Sequence, residues 1–224
     1  RADDRKTWLE NYDRELYIDT NKEDITYQEF IQREMIHFSK YDCDRSIPNI
    51  MDGLKTSLRK ILYTAFKRRL TSEIKVAQFS GSVSEISCYH HGEASLNGAI
   101  VGMAQNFVGS NNINLLMPNG QFGTRIMGGK DSAQPRYIHT KLMPITNLLF
   151  NKLDEPLYEY NDDDGNKIEP LYYVPTMPML LINGSSGIGT GWSTDIPCFN
   201  PKDILKNIKL YNNEIEMEEM TPYY

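Results

Sequence analysis

Long apolar runs are absent from this sequence of 224 residues. Every apolar stretch is interrupted before the roughly 18 residues that a membrane-spanning helix needs. The first ten residues are charged and contain no apolar core, which excludes a secretory signal peptide at this position. The chain also opens without methionine, so we expect it to be an excerpt from a longer protein. These absences favour a globular protein with no membrane partner.

Cysteine is scarce as well. The three cysteines, Cys43, Cys88 and Cys198, lie far apart and form no CxxC pair, which argues against a disulfide framework and against a zinc cluster. The sequence therefore predicts a reducing compartment and no metal site within this segment.

Positive charge is low overall but concentrated in one segment. The formal net charge is −6, yet residues 45–80 carry eight basic side chains, Lys60 and Lys75 among them, against two acidic ones. A local positive surface can bind phosphate whatever the total charge. A solvated helix face explains the same pattern, and charge alone does not separate the two interpretations.

The first half of the chain has helical periodicity. Residues 25–40 predict an amphipathic helix that opens with a capping box at Thr26. An apolar stripe at steps of three and four over 54–66 predicts a second helix. Two more helices are expected at about 75–87 and 92–107. Three helices with short joints suit a helix-turn-helix core.

After Gly109 the pattern changes to short apolar pieces broken by Pro-Asn-Gly and Gly-Gly. These pieces predict strands joined by turns, a β wing behind the helices, with Tyr137 on or beside it. The acidic cluster at 161–167 predicts a turn and the domain boundary. Beyond it we expect strands, glycine loops and a helix with Pro201 at its first position.

Neither glycine-rich stretch matches a nucleotide-binding motif. In GTRIMGGKD (123–131) a second glycine precedes the lysine and aspartate follows it, whereas a Walker A loop needs Ser or Thr there. NGSSGIGTG (183–191) lacks the spacing of a dinucleotide fingerprint, so its glycines are expected to permit tight turns.

The adjacent histidines His90 and His91 are poorly spaced for zinc ligands. They either cap a helix or donate hydrogen bonds to nucleic-acid phosphates.

Asp52, Lys55 and Arg59 are spaced so that one helix face presents them together. They form either an intrahelical ion pair, worth a few tenths of a kcal/mol, or an anion site that Arg45 and Arg136 join in the fold.

Tyr137 directly follows Arg136 and is either a buried aromatic or a nucleophile. A phenol with a pKa near 10 is about 0.1% ionised at pH 7, which costs phenolate attack roughly 4 kcal/mol. One cation within about 4–6 Å can lower a pKa by about 1–3 units. Several arginines around one phosphate therefore remove much of that barrier and stabilise charge on the phosphoryl oxygens. The residue types alone leave both interpretations open.

Several blocks of the sequence resemble one family when they are taken in order. They include RSIPNIMDGLK, KVAQFSGSVSE, YHHGEASL, AQNFVGSNN, NGQFGTR, GGKDSAQPRYI and LINGSSGIGTGWST. Together they resemble the DNA breakage-reunion region of the eukaryotic-type type IIA DNA topoisomerases. The resemblance runs in register from about residue 23 to the end of the chain.

The resemblance implies roles for the matching residues. Tyr137 is the expected nucleophile that forms a 5′-phosphotyrosyl link, and Arg136 is expected to stabilise the scissile phosphate. The rest of the expected catalytic cluster comprises Arg45, Asp52, Lys55 and Arg59. The expected DNA contacts are His90, His91 and Ile188, which matches an isoleucine that wedges between base pairs, together with Lys60 and Lys75 of the basic segment.

The implied fold class is α+β. A winged-helix domain of the helix-turn-helix, CAP-like type, with its β wing, is expected at 41–160. The start of an α/β tower domain is expected at 161–224. Residues 1–40 would be a linker and helix arriving from a preceding TOPRIM domain.

The implied function is that of an ATP-dependent type II DNA topoisomerase, an isomerase acting by reversible transesterification. Two copies, with one tyrosine per strand, would make a staggered break in double-stranded DNA through which another duplex passes. Mg²⁺ and ATP would be bound by domains outside this segment, so the segment alone is expected to be inactive. The implied location is the nucleus, or a cytoplasmic replication site if the protein comes from a large virus.

One departure from the family pattern stands at 56–58, where Thr-Ser-Leu replaces the usual Pro-Gly-Gln and leaves the helix start open. It hints at a divergent lineage. Two competing functions are a non-catalytic winged-helix DNA-binding module, which would need no activated phenol, and a P-loop NTPase, which the motif mismatch disfavours.

Overall fold

A computed structural model gives the fold, and the structure describes residues 1–223. The α-helices are α1 Ala2–Glu10, α2 Tyr27–Phe30, α3 Ile36–Ser46, α4 Thr56–Lys67, α5 Val76–Ser87, α6 Glu93–Ala104, α7 Pro144–Leu149, α8 Met179–Asn183 and α9 Pro201–Asn212. A π-helical turn, Ile31–Met35, joins α2 to α3, and a 3₁₀ helix covers Lys152–Leu157. None of the helices in this described part is long and apolar enough to cross a bilayer.

The strands of the described chain pair into small antiparallel sheets. They are β1 Ile74–Lys75 with β2 His139–Thr140, β3 Tyr160–Asp163 with β4 Asn166–Pro170, and β5 Ser185–Ile188 with β6 Ser193–Ile196. This mixture of helices and small sheets confirms the α+β fold class.

Helices α4, α5 and α6 form the core, as the helical periodicity predicts. They share a single cluster of buried side chains that includes Ile61, Phe79 and Leu96, each of them fully inaccessible. Helix α6 ends at Ala104 instead of near residue 107, because Gln105 leaves the helical conformation with a ψ angle of 134°.

The predicted helix starts are confirmed. Thr26 Oγ1 accepts a hydrogen bond from the Glu29 amide and the Glu29 carboxylate accepts one from the Thr26 amide, which is the predicted capping box. Helix α9 has Pro201 at its first position. Helix α4, whose start the sequence leaves open, begins at Thr56 because Lys55 before it is extended.

The β wing is smaller than predicted. Two isolated bridges, Leu116 with Leu142 and Asn119 with His139, replace the continuous strands expected over 113–129. The main partner of β2 is β1, which lies directly before α5. The predicted strands do not form because their amides bond elsewhere: those of Leu115 and Leu116 donate to the Met103 carbonyl of α6, and those of Gly128 and Gly129 donate within the local turn 124–129.

The acidic cluster at 161–167 forms the predicted turn, between β3 and β4. Asp164 and Gly165 have φ angles of 50° and 82°, as a two-residue hairpin turn requires. Strand β4 packs on α4, where Lys60 Nζ lies 2.8 Å from a carboxylate oxygen of Glu169. The hairpin therefore rests on the helical core, and the domain boundary at this point stays a prediction.

Candidate functional site

Tyr137 lies on the surface beside β2, with 65% of the residue exposed. Its neighbour Ile138 is buried, and the Ile138 carbonyl accepts a hydrogen bond from the Val76 amide at the start of α5. The backbone is thus fixed while the ring faces solvent. The Arg136 guanidinium carbon lies 4.8 Å from the ring centroid, within cation–π range. The interpretation of Tyr137 as a buried aromatic is therefore wrong.

The glycine-rich stretch 123–131 is folded by its own contacts. The Asp131 carboxylate accepts hydrogen bonds from the Thr124 amide and hydroxyl, both at 2.8 Å, and these bonds keep the pKa of the Asp131 carboxyl below its usual value. A Cβ built on Gly123, whose φ angle is 98°, would lie 2.6 Å from the backbone Cα of Gly129. The glycine is needed for close packing of the loop that leads to the surface tyrosine.

A second group of sequence-predicted residues gathers at the C-terminal end of α3. Lys55 Nζ donates a hydrogen bond to the Ser186 carbonyl on β5, at 2.7 Å. The Tyr41 hydroxyl lies 2.7 Å from His91 Nε2, and the Arg45 guanidinium carbon lies 5.8 Å from the Tyr41 ring centroid. Helix α3 therefore brings Arg45 and His91 together, and β5 comes close to Lys55.

Ile188 ends β5 and is 82% exposed. The β5–β6 hairpin that carries Ile188 packs closely on α3 at two glycines. A Cβ on Gly187 would lie 2.1 Å from the Ser46 carbonyl oxygen, and one on Gly189 would lie 3.1 Å from Cys43 Cα. Because a side chain at Gly187 would collide with backbone, glycine alone permits this approach, and Ile188 projects from a fixed support.

Asp52 and Arg59 form a buried ion pair beside Lys55. Arg59 donates to the two carboxylate oxygens at 2.7 and 3.1 Å, and the Asp52 side chain is 0% exposed. Asp52 also accepts hydrogen bonds from the Leu54 and Tyr173 amides, both at 2.9 Å. The pair holds the turn that leads into α4. The spacing suggests an intrahelical ion pair, and the ion pair forms, but it is not intrahelical because Asp52 lies before the first residue of α4.

The remaining predicted DNA contacts are dispersed. The Lys60 ammonium is mostly buried and forms an ion pair with Glu169, so its charge is not available to a ligand. Lys75 is exposed on β1. His90 Nε2 lies 2.9 Å from an Asp163 carboxylate oxygen, a contact that lowers the pKa of the Asp163 carboxyl. His90 and Lys75 are thus accessible, whereas Lys60 supports the fold.

His91 is expected to be neutral at pH 7. Its partial burial lowers the pKa of the imidazole, and the Arg45 guanidinium and His90 lower it further. A nuclear magnetic resonance titration of His91 should therefore have a midpoint below the ordinary value of about 6.5. The midpoint should rise in Arg45→Gln, and the distant Lys75→Gln should leave it unchanged.

The folded-state pKa of His91 lies below the unfolded-state pKa. Between these two pH values the unfolded chain therefore binds more protons than the folded chain. The stability contributed by the neutral imidazole is complete above the unfolded-state pKa of about 6.5 and is lost as the pH falls through the lower folded-state pKa. A midpoint at or above 6.5, or one that Arg45→Gln does not move, contradicts this description of the site.

Two aromatic residues that the sequence interpretation missed shape this region. Tyr41 lies one helical turn before Arg45, so its i, i+4 spacing was an available signal. Tyr173, whose amide binds Asp52, lies far from that aspartate in sequence and gave no signal.

The three-helix core, the small antiparallel sheets and the exposed arginine-tyrosine pair define an α+β domain with a tyrosine hydroxyl open to solvent. A family model for the A-type subunit of DNA gyrase/topoisomerase IV matches residues 45–224, and one described as the C-terminal associated domain of TOPRIM matches residues 1–43. The chain belongs to the DNA gyrase/topoisomerase IV family, which confirms the resemblance seen in the sequence.

Individual relatives agree with this assignment. The chain is 54% identical over 224 residues to DNA topoisomerase 2 of Candida albicans and 53% identical over 224 residues to that of Saccharomyces cerevisiae. Both matches cover 100% of the chain, which spans only 15% and 16% of those proteins. The chain is also similar to the solved DNA-binding, cleavage and re-ligation domain of Plasmodium falciparum topoisomerase II. That match has a TM-score of 0.92 and 52% identity, and covers 100% of this chain and 31% of the other.

Proposed function

We propose that this chain is part of an ATP-dependent type II DNA topoisomerase and that Tyr137 is its cleavage nucleophile. The observation that carries the proposal is the exposed Tyr137 ring beside Arg136, on a domain 53–54% identical to proteins named DNA topoisomerase 2.

We also propose that the chain divides into a linker and helix at 1–40, a winged-helix domain at 41–160 and the start of a tower domain at 161–224. It is supported by the end of the TOPRIM-associated match at residue 43 and by the start of β3 at Tyr160.

In the proposed reaction the Tyr137 hydroxyl oxygen attacks a phosphate of the DNA backbone. The oxygen–phosphorus bond to Tyr137 forms as the bond from phosphorus to the 3′ oxygen breaks. The phenol loses its proton to solvent and the 3′ oxygen gains one. Because one phosphate ester replaces another, resealing is the reverse step and needs no external energy. Arg136 stabilises the charge that develops on the phosphoryl oxygens.

A second copy of the chain completes the proposed site. Arg45 and Lys55 lie near the end of α3, whereas Tyr137 lies beside β2. Across the described residues no hydrogen bond, ion pair or cation–π contact joins Tyr137 to either of them. We propose that Arg45 and Lys55 of one copy act on the strand that the other copy's tyrosine cleaves. The buried pair of Asp52 and Arg59 positions Lys55.

Mixed dimers test this arrangement. One copy carries Tyr137→Phe and the other carries Lys55→Ala, in full-length protein isolated with two affinity tags. If the site is shared between copies, one of the two sites keeps both residues, and supercoiled DNA is nicked in one strand. If each site lies within one copy, both sites are defective. Absence of nicking above the level of the two homodimers contradicts the shared site.

Ile188 is proposed to wedge between base pairs and bend the DNA. Its exposure at the tip of an anchored hairpin supports this role. Ile188→Ala should reduce the bend angle, measured by fluorescence transfer between dyes at the DNA ends, and should reduce cleavage while leaving the fold intact. The matched control is Ile50→Ala, which removes an exposed isoleucine outside the hairpin. An unchanged bend angle in Ile188→Ala contradicts the wedge.

We infer that Mg²⁺ and ATP bind elsewhere in the longer protein. No group of three or more His, Cys, Asp or Glu side chains in the described chain is placed to hold a metal ion, and the Asp52 carboxylate is already paired with Arg59. Asp52, the carboxylate of the proposed catalytic cluster, is therefore not free to bind Mg²⁺. The eukaryotic origin of the relatives supports a nuclear location, and a viral origin would instead fit a cytoplasmic replication site.

A further inference from the structure

A cavity of about 470 Å³ lies apart from the proposed cleavage site, between the end of α4, the 3₁₀ helix Lys152–Leu157 and the β3–β4 hairpin. Its volume falls in the range of small-molecule sites, about 300–1,000 Å³. It does not include the arginine-tyrosine pair or the glycine hairpin. The proposed DNA chemistry therefore leaves this cavity without a role.

Aromatic rings form the walls of the cavity and hold one another in place. The Tyr173 ring meets Phe66, Phe150 and Tyr158 edge to face, with centroid distances of 5.9, 5.6 and 5.4 Å. Such edge-to-face contacts are the favoured geometry for aromatic pairs. The walls are consequently preformed, and a planar apolar ligand would displace water without rearranging them.

One of the four tyrosine hydroxyls in these walls has no hydrogen-bond partner in the described part of the chain. The hydroxyls of Tyr63 and Tyr160 donate to backbone carbonyls, and the Tyr158 hydroxyl accepts from the Val174 amide. Tyr173 is only 5% exposed, and its hydroxyl has no hydrogen-bond partner within residues 1–223. Burial raises the pKa of Tyr173 above the ordinary phenol range, so the hydroxyl keeps its proton as a donor. The hydroxyl oxygen is still accessible to solvent, so it opens on the cavity, where an acceptor of a ligand can take the place of water.

The rim of the cavity is positive. Lys67, Arg69 and Lys152 line it and are exposed, against the single carboxylate of Glu155. None of the three cations forms an ion pair with another described residue. An anionic group at the mouth would therefore find unneutralised positive charge.

We propose that this cavity is a binding site for a small planar aromatic anion that also carries a hydrogen-bond acceptor. The ligand ring packs against the wall formed by Phe66, Phe150 and Tyr158, and its acceptor receives a hydrogen bond from the Tyr173 hydroxyl. Its carboxylate faces Lys67 and Arg69 at the rim. This inference does not depend on the proposed cleavage reaction.

Two probes of similar size and equal charge test the site on the full-length protein. Both carry a carboxylate, but chromone-2-carboxylate also has a ring carbonyl acceptor, which 2-naphthoate lacks. Saturation-transfer nuclear magnetic resonance and calorimetry should show millimolar or tighter binding of chromone-2-carboxylate. Tyr173→Phe, which keeps the ring, should weaken it by roughly tenfold, the value of one hydrogen bond, and should leave 2-naphthoate unaffected. The neighbouring Tyr172→Phe should change neither.

Charge variants locate the carboxylate. Lys67→Gln combined with Arg69→Gln should weaken both probes, whereas Lys209→Gln on α9 should not. No binding of chromone-2-carboxylate, or equal affinities for the wild type and Tyr173→Phe, overturns the proposal. Loss of binding in Lys55→Ala, with Lys67 and Arg69 intact, would assign the anion to the DNA-facing surface and would overturn it as well.

Discussion

Tyr137→Phe is expected to abolish the covalent link to DNA while the protein still binds DNA. The variant keeps the ring and its contact with Arg136 and removes only the oxygen that would bond to phosphorus. Loss of the nucleophile in covalent catalysis costs on the order of 10⁶-fold in rate, so the adduct should fall below detection. The measurement is detergent and protease trapping of full-length protein on supercoiled DNA with ATP and Mg²⁺.

Tyr172→Phe is the matched control, because Tyr172 is an exposed tyrosine that lies outside both candidate sites. It should form the adduct at the wild-type level. An adduct that survives in Tyr137→Phe contradicts the assignment of the nucleophile. Wild-type protein that binds DNA but never forms an adduct would instead indicate a non-catalytic winged-helix module.

Asp52→Ala is expected to lower the free energy of unfolding by about 3–5 kcal/mol. The substitution leaves the Arg59 guanidinium buried without its counter-charge and removes the acceptor for the Leu54 and Tyr173 amides. At about 2–4 °C per kcal/mol for a domain of this size, the thermal midpoint of the 224-residue chain should fall by roughly 10 °C.

Two further variants separate this effect from the loss of any carboxylate. Asp44→Ala breaks an ion pair with Lys40 in which the aspartate side chain is 60% exposed, so its cost should be at most about 0.5 kcal/mol. Asp52→Ala combined with Arg59→Met should recover part of the loss, because no unpaired buried charge remains. A single-variant loss as small as that of Asp44→Ala contradicts the structural role of the buried pair.

The parts of the fold that local physics determines were predictable. The stripe over 54–66 and the apolar spacing at 75–87 fixed two core helices, because a period of 3.6 residues is a local property. The capping box at Thr26 and the start of α9 at Pro201 were likewise readable from neighbouring residues.

Long-range pairings could not be read in the same way. Strand β2 pairs with β1, which precedes it by more than sixty residues, and no local pattern selects that partner. Helical spacing groups Arg59 with polar residues, although it lies three residues before the buried Leu62 and so on the buried face. The partner that neutralises it, Asp52, belongs to the preceding turn.

The candidate site was likewise predictable only where local sequence or the family resemblance determined it. Gly-rich spacing excluded a phosphate loop, and the resemblance selected Tyr137 among 14 tyrosines. The buried ion pair of Lys60 with Glu169 could not be predicted from the sequence, because Glu169 lies on the β3–β4 hairpin, far along the chain.

The residue that bonds to DNA is the most direct measure of the central claim. The trapped wild-type adduct is digested with nuclease and protease, and its peptides are sequenced by mass spectrometry. We expect a 5′-nucleotide mass on the peptide that contains Tyr137, attached at that tyrosine. A nucleotide on any other residue would contradict the proposed mechanism.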